Sequence, residues 1–212
     1  MSRARVLLAD DHTLVAEAFR KLVEPHYEVV GIVADGRALI AAARSLKPDV
    51  IVVDLAMPLL NGLEATAQLR QLSPKSKIII VTMEEDSNVA ADAIRKGASG
   101  YLLKTAAASE LLKAIQDVLK SKSYVTPQIA QGMMDSWVRD PRPGQGKHLT
   151  QRQREVVQLL AEGRTMKQVA AILSITPRTV AFHKYKIMEE FGLKSNAELF
   201  QFAVREHMIT AR

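Results

Sequence analysis

Hydrophobic positions in the first 120 residues alternate between continuous apolar runs and helical spacing. Ile51–Val53 and Ile78–Val81 are unbroken β-branched runs, which are typical of strands covered on both faces. The pattern predicts five strands, at Val6–Asp10, Val29–Ala34, Val50–Asp54, Lys77–Thr82 and Gly100–Lys104. It also predicts five helices, at Thr13–Val23, Arg37–Ser45, Gly62–Gln71, Ser87–Lys96 and Ala108–Lys120. Strands that alternate with helices of this length predict a doubly wound parallel sheet.

The pattern changes after residue 120. Ile129, Met133 and Trp137 recur every fourth residue in a predicted helix over Gln128–Val138, and we expect this stripe to pack on a neighbouring domain. Pro and Gly then break any regular element between residues 140 and 146. Four further helices are predicted, at Gln151–Glu162, Thr165–Leu173, Thr176–Phe191 and from Ser195 to about Glu206. We therefore predict one domain over residues 1–120, a linker over 121–147 and a helical domain over 148–212.

The excess positive charge lies in the C-terminal part of the chain. Residues 1–120 hold 15 Lys and Arg against 15 Asp and Glu, whereas residues 121–212 hold 14 against 8, a net charge of +6. Such a balance is typical of a module that binds a polyanion, although a merely basic soluble surface is an alternative interpretation.

Composition excludes some classes of protein. The chain has no Cys, which excludes disulfides and cysteine-based zinc sites. The first apolar run is short and ends at Asp10 and Asp11, so it does not suit a signal sequence or a membrane span. We expect a cytoplasmic protein.

Polar side chains follow four of the predicted strands. Asp10 and Asp11 come at and just after the end of the first strand, and Asp54 ends the third, Thr82 the fourth and Lys104 the fifth. Open parallel sheets bind ligands outside the carboxyl ends of their strands, so we expect these groups to converge. Three carboxylates attract a cation, and their oxygens suit Mg²⁺. Because a carboxylate can attack phosphorus, and an ammonium and a hydroxyl can neutralise a phosphoryl group, the cluster predicts phosphoryl chemistry.

These residues carry a resemblance to receiver domains over about residues 4–120. The matching motifs are Asp10-Asp11, Asp54-Leu-Ala-Met-Pro58 with Gly62, Thr82, and Gly100-Tyr-Leu-Leu-Lys104. The resemblance implies a flavodoxin-like (βα)5 α/β fold with Asp54 as the phosphoacceptor. It implies that Asp10, Asp11, Asp54 and the backbone carbonyl of Ala56 hold Mg²⁺. Lys104 and Thr82 would contact the phosphoryl oxygens, and Tyr101 would be the switch aromatic that turns inward, a role compatible with an ordinary half-buried strand aromatic.

One residue departs from the receiver pattern. Met83 follows the switch threonine, where receivers usually have a small residue. A bulky thioether there predicts narrower access for a phosphodonor or slower hydrolysis of the acyl phosphate. Ala56 and Glu84 occupy positions that usually tune dephosphorylation.

The C-terminal helices resemble the LuxR-type helix-turn-helix over about residues 148–209. Leu149–Gly163 matches its opening, Lys167–Leu173 its supporting helix, and Ser174–Val180 the turn and the start of the recognition helix. The resemblance implies an all-α four-helix domain whose recognition helix enters the major groove of double-stranded DNA. The DNA-binding residues it implies are Thr165, Lys167, Arg178, Thr179, Ala181, Phe182, His183, Lys184, Tyr185 and Lys186. Ala181 stands where the family often has Lys, so Phe182 and Tyr185 suggest apolar base contacts; a partly buried Phe182 is the alternative.

Together the two halves resemble response regulators of the NarL/FixJ class. The resemblance implies phosphorylation by a sensor histidine kinase, a homodimer on activation and regulation of transcription. It does not imply an enzyme, because a receiver assists only its own phosphorylation and dephosphorylation. An aspartyl-phosphate phosphotransferase is one alternative, but such enzymes have a second acid where Ala56 stands. The other alternative is a phosphorylation-independent DNA-binding regulator with an atypical receiver. The complete set of five pocket residues argues against this alternative.

Overall fold

The computed structural model describes residues 3–139 and 149–209, with the side chains of residues 3–135 and 149–209. The described residues form two compact units, one from the N-terminal and one from the C-terminal part of the chain. The predicted break over residues 140–146 and the side chain of Trp137 lie outside this description.

A six-stranded parallel sheet forms the centre of the N-terminal unit, with strand order β2-β1-β3-β4-β5-β6. The strands are β1 (Arg5–Ala9), β2 (Glu28–Val33), β3 (Val50–Asp54), β4 (Lys77–Thr82), β5 (Gly100–Leu103) and β6 (Tyr124–Val125). The helices are α1 (Thr13–Val23), α2 (Gly36–Leu46), α3 (Gly62–Leu72), α4 (Ser87–Lys96), α5 (Ala107–Leu119) and α6 (Pro127–Arg139). The predicted flavodoxin-like α/β fold is confirmed, and the first five predicted strands and helices match to within about a residue at most ends.

Burial explains why these segments form the sheet. Every residue of β3 is buried, as the continuous β-branched run predicts for a central strand. On one face, Val52 and Ile79 pack in a cluster with Leu111 and Ile115 of α5. Each buried aliphatic side chain contributes roughly 1.5–3 kcal/mol, so this layer fixes the strands whose ends carry the polar groups.

Helix caps position the chain at the carboxyl edge of the sheet. The side chain of Asp35 accepts hydrogen bonds from the N–H groups of Arg37 and Ala38 at the start of α2. Asn61 caps α3 by accepting from Glu64, and Asp86 caps α4 by accepting from Asn88. Caps of this kind typically contribute about 1 kcal/mol each, and here they fix where the loops after β3 and β4 end.

Residues 124–139 extend the N-terminal unit. The short strand β6 pairs with β5 in parallel, with Tyr124 opposite Gly100 and Val125 opposite Tyr101. Helix α6 packs against α4, where a Cβ on Gly132 would lie 3.1 Å from Cβ of Ser87. The predicted helix is confirmed, and two residues of its predicted apolar stripe, Ile129 and Met133, are buried. The sequence did not predict β6, because two residues are too few to show a strand pattern.

The C-terminal unit is all-α, as predicted. Its helices are α7 (Gln151–Ala161), α8 (Met166–Leu173), α9 (Pro177–Phe191) and α10 (Asn196–Arg205). Thr150 and Thr165 form capping boxes at α7 and α8, and Thr176 caps α9 ahead of Pro177. The core includes Val157 of α7, Ile187 of α9 and Phe202 of α10. These contacts leave one side of α9 available to solvent.

Candidate functional site

Three strand ends bring an acidic pocket together. Asp54 ends β3, Asp10 follows β1 on one side of it, and Lys104 follows β5. The Nζ atom of Lys104 lies 2.8 Å from Oδ2 of Asp10 and 3.0 Å from Oδ2 of Asp54. Asp10 and Asp54 are each only 4% exposed. One ammonium thus bridges two buried carboxylates at the edge where the strand order predicted convergence.

Burial and charge act against each other in this pocket. Burial raises the pKa of Asp54, Lys104 lowers it, and the nearby charge of Asp10 raises it again, leaving it above its ordinary value. Burial lowers the pKa of Lys104, but hydrogen bonds and charge from Asp10 and Asp54 outweigh that effect and raise it. Lys104 therefore stays charged, while Asp54 is a carboxylate held at a cost in solvation.

A set of possible metal ligands lies beside this ion pair. Asp10, Asp11, His12 and Asp54 each offer a ligand atom, and these atoms lie within 4.8 Å of one another. Nδ1 of His12 lies 2.9 Å from Oδ1 of Asp11 and 3.3 Å from Oδ1 of Asp10. Three carboxylates with one ammonium leave the pocket acidic, so the donor set suits a hard divalent cation. The sequence reasoning missed His12, although its position directly after Asp11 was a sufficient signal.

The loop after β3 is held close to Asp54. The N–H of Gly62 donates to the carbonyl of Leu55 at 2.8 Å, and a Cβ at position 62 would lie 2.8 Å from Cα of Leu55. The backbone N–H of Ala56 donates a hydrogen bond to the Asp54 carboxylate. The glycine in the motif is thus required by a close backbone approach, which fixes the peptide that carries Asp54.

Thr82 and Tyr101 both bind the backbone of Glu84. The hydroxyl oxygen of Thr82, which is buried, accepts a hydrogen bond from the N–H of Glu84 at 3.1 Å. The Tyr101 ring is fully buried in the inward position, and its hydroxyl donates to the Glu84 carbonyl. Burial, followed by the charges of Glu84, Asp86 and Asp54, raises the pKa of Tyr101 far above its ordinary value. Met83, which lies between Thr82 and Glu84 in the chain, is 65% exposed, so its thioether is not buried in the pocket.

Helix α9 has one buried and one exposed side. Val180 and Ile187 are fully buried, whereas Phe182 is 60% and Tyr185 62% exposed. Phe182 is therefore mainly exposed, as a side chain available for base contact would be. The charged residues Arg178 and Lys186 are exposed, and Ala181, His183 and Lys184 are partly exposed. Burial and the positive charges of Arg152 and Lys186 lower the pKa of His183, which favours the neutral form of this imidazole.

The other predicted DNA-binding residues lie at helix starts. Lys167 is exposed in the first turn of α8, and Thr165 caps that helix through a hydrogen bond from the N–H of Gln168. Thr179, in the first turn of α9, shares a hydroxyl hydrogen bond of 2.9 Å with Thr176. Helix starts present N–H groups and a positive dipole end, which suit contact with phosphate.

Within residues 3–139 and 149–209, no helix combines the length and apolar character needed to cross a membrane.

Comparison with known proteins identifies both units. Residues 6–116 match the model of the response regulator receiver domain, and residues 147–203 match that of bacterial regulatory proteins of the luxR family. The chain is 33% identical to the oxygen regulatory protein NreC of Staphylococcus aureus (strain JH9), over 97% of this chain and 99% of that protein.

Solved structures agree with this assignment. A two-component response regulator of the LuxR family from Aurantimonas sp. SI85-9A1 is 39% identical with a TM-score of 0.62, over 65% of this chain and 99% of that chain. RcsB of Salmonella enterica serovar Typhimurium, solved on the promoter P1flhDC with the phosphomimetic BeF3⁻, is 26% identical with a TM-score of 0.61, over 95% of this chain and 98% of that chain. The chain therefore belongs to the two-component response regulators that join a receiver domain to a LuxR-type DNA-binding domain.

Proposed function

We propose that Asp54 accepts a phosphoryl group from a sensor histidine kinase, and that the phosphorylated chain regulates transcription as a DNA-bound dimer. The observation that carries this proposal is the contact of Lys104 with both Asp10 and Asp54 beside a divalent-cation donor set. This arrangement supplies a nucleophilic carboxylate together with the positive charge that a phosphoryl group needs.

The transfer is a displacement at phosphorus. A carboxylate oxygen of Asp54 forms the new P–O bond, and the P–N bond to a donor imidazole that carries a proton on its other ring nitrogen breaks. The bonding electron pair stays on the released nitrogen, so the imidazole leaves as the neutral base. Lys104 holds the Asp54 carboxylate before transfer and contacts the phosphoryl oxygens after it. The raised pKa of Asp54 reflects a poorly solvated carboxylate, which favours attack.

The acidic donor set would hold Mg²⁺. Asp10, Asp11 and Asp54 supply carboxylate oxygens, and the backbone carbonyl of Ala56 would complete the set. When bound, the ion neutralises charge on the phosphoryl oxygens. Because three acids face a single ammonium, the pocket without a cation keeps excess negative charge that opposes an approaching phosphate.

Thr82 and Tyr101 would transmit the change. We expect the Thr82 hydroxyl to turn towards a phosphoryl oxygen and to donate a hydrogen bond to it. In turning, Thr82 would give up the hydrogen bond that it now accepts from the N–H of Glu84. Tyr101 keeps the same peptide in place through the Glu84 carbonyl. This coupling biases the receiver between two states, which is how a covalent modification shifts a population.

The C-terminal unit would bind DNA through α9. Phosphate contacts would come from Thr165, Lys167, Arg178, Thr179, His183, Lys184 and Lys186, with Ala181, Phe182 and Tyr185 towards the base edges. Support comes from the basic charge of this part of the chain and from the likeness to RcsB bound to a promoter. A homodimer on a two-fold site suits a helix-turn-helix protein. We propose the functional division 1–120, 121–147 and 148–212, and a cytoplasmic location.

Two measurements on the full chain test the proposal. With Mg²⁺ and acetyl phosphate, intact mass spectrometry should find one added phosphoryl group that hydroxylamine removes, and Asp54→Asn should remove the labelling. Labelling that persists in Asp54→Asn would contradict the assignment. Binding to duplex DNA should weaken steeply with salt and strengthen on phosphorylation. Equal DNA affinity of the phosphorylated chain and of Asp54→Asn would favour a phosphorylation-independent regulator.

A further inference from the structure

Two aromatic side chains project from the exposed side of α9. Among residues 149–209, the exposed large hydrophobic side chains are Phe182, Tyr185 and Phe200. Phe182 and Tyr185 lie three residues apart on α9, on the side opposite the buried Val180 and Ile187. Exposed aromatic surface of this size is unfavourable in water, so a partner that covers it gains free energy.

The surroundings of the two rings indicate a polyanion as that partner. Nζ of Lys186 lies 6.0 Å from the centre of the Phe182 ring, and Nζ of Lys184 lies 5.7 Å from that of Tyr185. Arg178, one turn before Phe182 on the same side, is exposed. Cations placed around the rings can reach phosphates at the two edges of a groove, which leaves the rings over the base edges between them.

The chemistry of a base edge limits what Phe182 can contact. Phe182 has no hydrogen-bonding atom, and covering a polar base edge with it would remove water without replacing the lost hydrogen bonds. The major groove presents one apolar group, the C5-methyl of thymine. Tyr185 can place its ring on a methyl group while its hydroxyl keeps a polar partner. Ala181, between Arg178 and Phe182 on this side, is small enough to let the helix approach closely.

We propose that Phe182 and Tyr185 form a reading surface for thymine methyl groups, so that the chain selects duplexes with thymine opposite these two side chains. The proposal rests on the DNA binding by α9 proposed above, and it names the base chemistry that this helix recognises. Specificity then depends on a methyl group rather than on the charged base contacts that a Lys at position 181 would provide.

The experiment separates the methyl group from the rest of the base. The full chain is used to select 30-base-pair duplexes from a random pool at low salt, and the best duplex is resynthesised with deoxyuridine replacing thymidine at one position at a time. Deoxyuridine keeps every hydrogen-bonding group and lacks only the methyl. Burying one methyl contributes about fourfold in affinity, so we expect a loss of about fourfold at each contacted position, measured by fluorescence anisotropy.

Variants of the chain assign the effect to the rings. In Phe182→Ala and in Tyr185→Ala, deoxyuridine at the position that the removed ring contacted should no longer lower the affinity. Each variant should therefore bind the thymidine duplex and that deoxyuridine duplex equally well. Phe200→Ala, which removes an exposed aromatic on α10, should keep the full discrimination. All three side chains are exposed, so circular dichroism should show unchanged helical content.

The outcomes distinguish this inference from the proposed function. Tight binding to the selected duplex with no loss at any deoxyuridine position would overturn the thymine reading and leave DNA binding intact. Discrimination that survives in both Phe182→Ala and Tyr185→Ala would overturn it as well. A chain that selects no duplex even at low salt would contradict the proposed function itself.

Discussion

The hydroxyl of Tyr101 donates a hydrogen bond to the backbone carbonyl of Glu84 across 2.9 Å. The backbone N–H of Glu84 donates a hydrogen bond to the Thr82 hydroxyl oxygen at 3.1 Å. The peptide groups of Glu84 are therefore held by two residues, one at the end of β4 and one within β5. The loop between β4 and α4 cannot shift without changing at least one of these bonds, and under the proposed function this is the route by which an event at Thr82 would reach Tyr101.

Tyr101→Phe should lower the free energy of unfolding by about 1 kcal/mol, because it removes one hydrogen bond and leaves the Glu84 carbonyl without that donor. Urea denaturation followed by circular dichroism measures the change. Tyr27→Phe, on a tyrosine far from β4 in the sheet order, should change stability by less than half as much. An unchanged stability of Tyr101→Phe would mean that this hydrogen bond is not important for the fold.

Asp54→Asn should raise the stability of the chain near pH 7 when no divalent cation is present. Burial raises the pKa of Asp54, so the fold favours the protonated form, and stability is lost as the pH rises through that raised pKa. Asn is neutral at every pH and avoids this loss. The gain should shrink as the pH falls, because Asp54 itself then becomes protonated.

Thermal unfolding of wild type and Asp54→Asn between pH 4 and 8 measures this difference. Added Mg²⁺ should stabilise the wild type and have a smaller effect on Asp54→Asn. Asp49→Asn, on a carboxylate at the opposite end of β3, serves as a control. A gain from Asp54→Asn that stays constant with pH would contradict the electrostatic cause.

Strand ends explain why the sequence predicted the pocket well. Parallel strands with continuous apolar runs place their following residues on one edge, so Asp10, Asp54 and Lys104 could be expected to meet before any distance was known. The bond from Tyr101 to Glu84 could not be predicted, because it depends on a loop path and a side-chain rotamer rather than on periodicity. The same holds for β6, which exists only because Tyr124 and Val125 pair with β5.

Gly62→Ala should displace the backbone around Asp54, the proposed phosphoacceptor. A Cβ at this position clashes with the carbonyl oxygen of Asp54 and lies 2.8 Å from Cα of Leu55, and neither is the movable end of a side chain. We expect a loss of about 1–3 kcal/mol in stability, as for overpacked cores, together with slower labelling of Asp54 by acetyl phosphate. Gly31→Ala is the matched control, because its Cβ meets only the side chains of Leu46 and Leu7, at 3.2 and 3.3 Å. Normal labelling of Gly62→Ala would show that the loop relaxes without moving Asp54.

Gly132→Leu should loosen α6 from α4. A Cβ on Gly132 already lies 3.1 Å from Cβ and 3.2 Å from Oγ of Ser87, so a larger side chain has no room without separating the helices. Ile129 and Met133 are buried on the same helix, so we expect its displacement to cost about 1–3 kcal/mol in stability. Gly132→Ala should be close to neutral, because the gain of up to about 1 kcal/mol in helix propensity offsets the tight contact.

Amide hydrogen exchange provides the local readout for α6. In Gly132→Leu the amides of residues 130–135 should exchange faster, while those of β3 and β4 keep their protection. Gln131→Leu, an exposed neighbour on the same helix, should leave exchange unchanged. Equal exchange rates of the α6 amides in Gly132→Leu and Gln131→Leu would show that the close approach of Gly132 to Ser87 does not hold this helix in place.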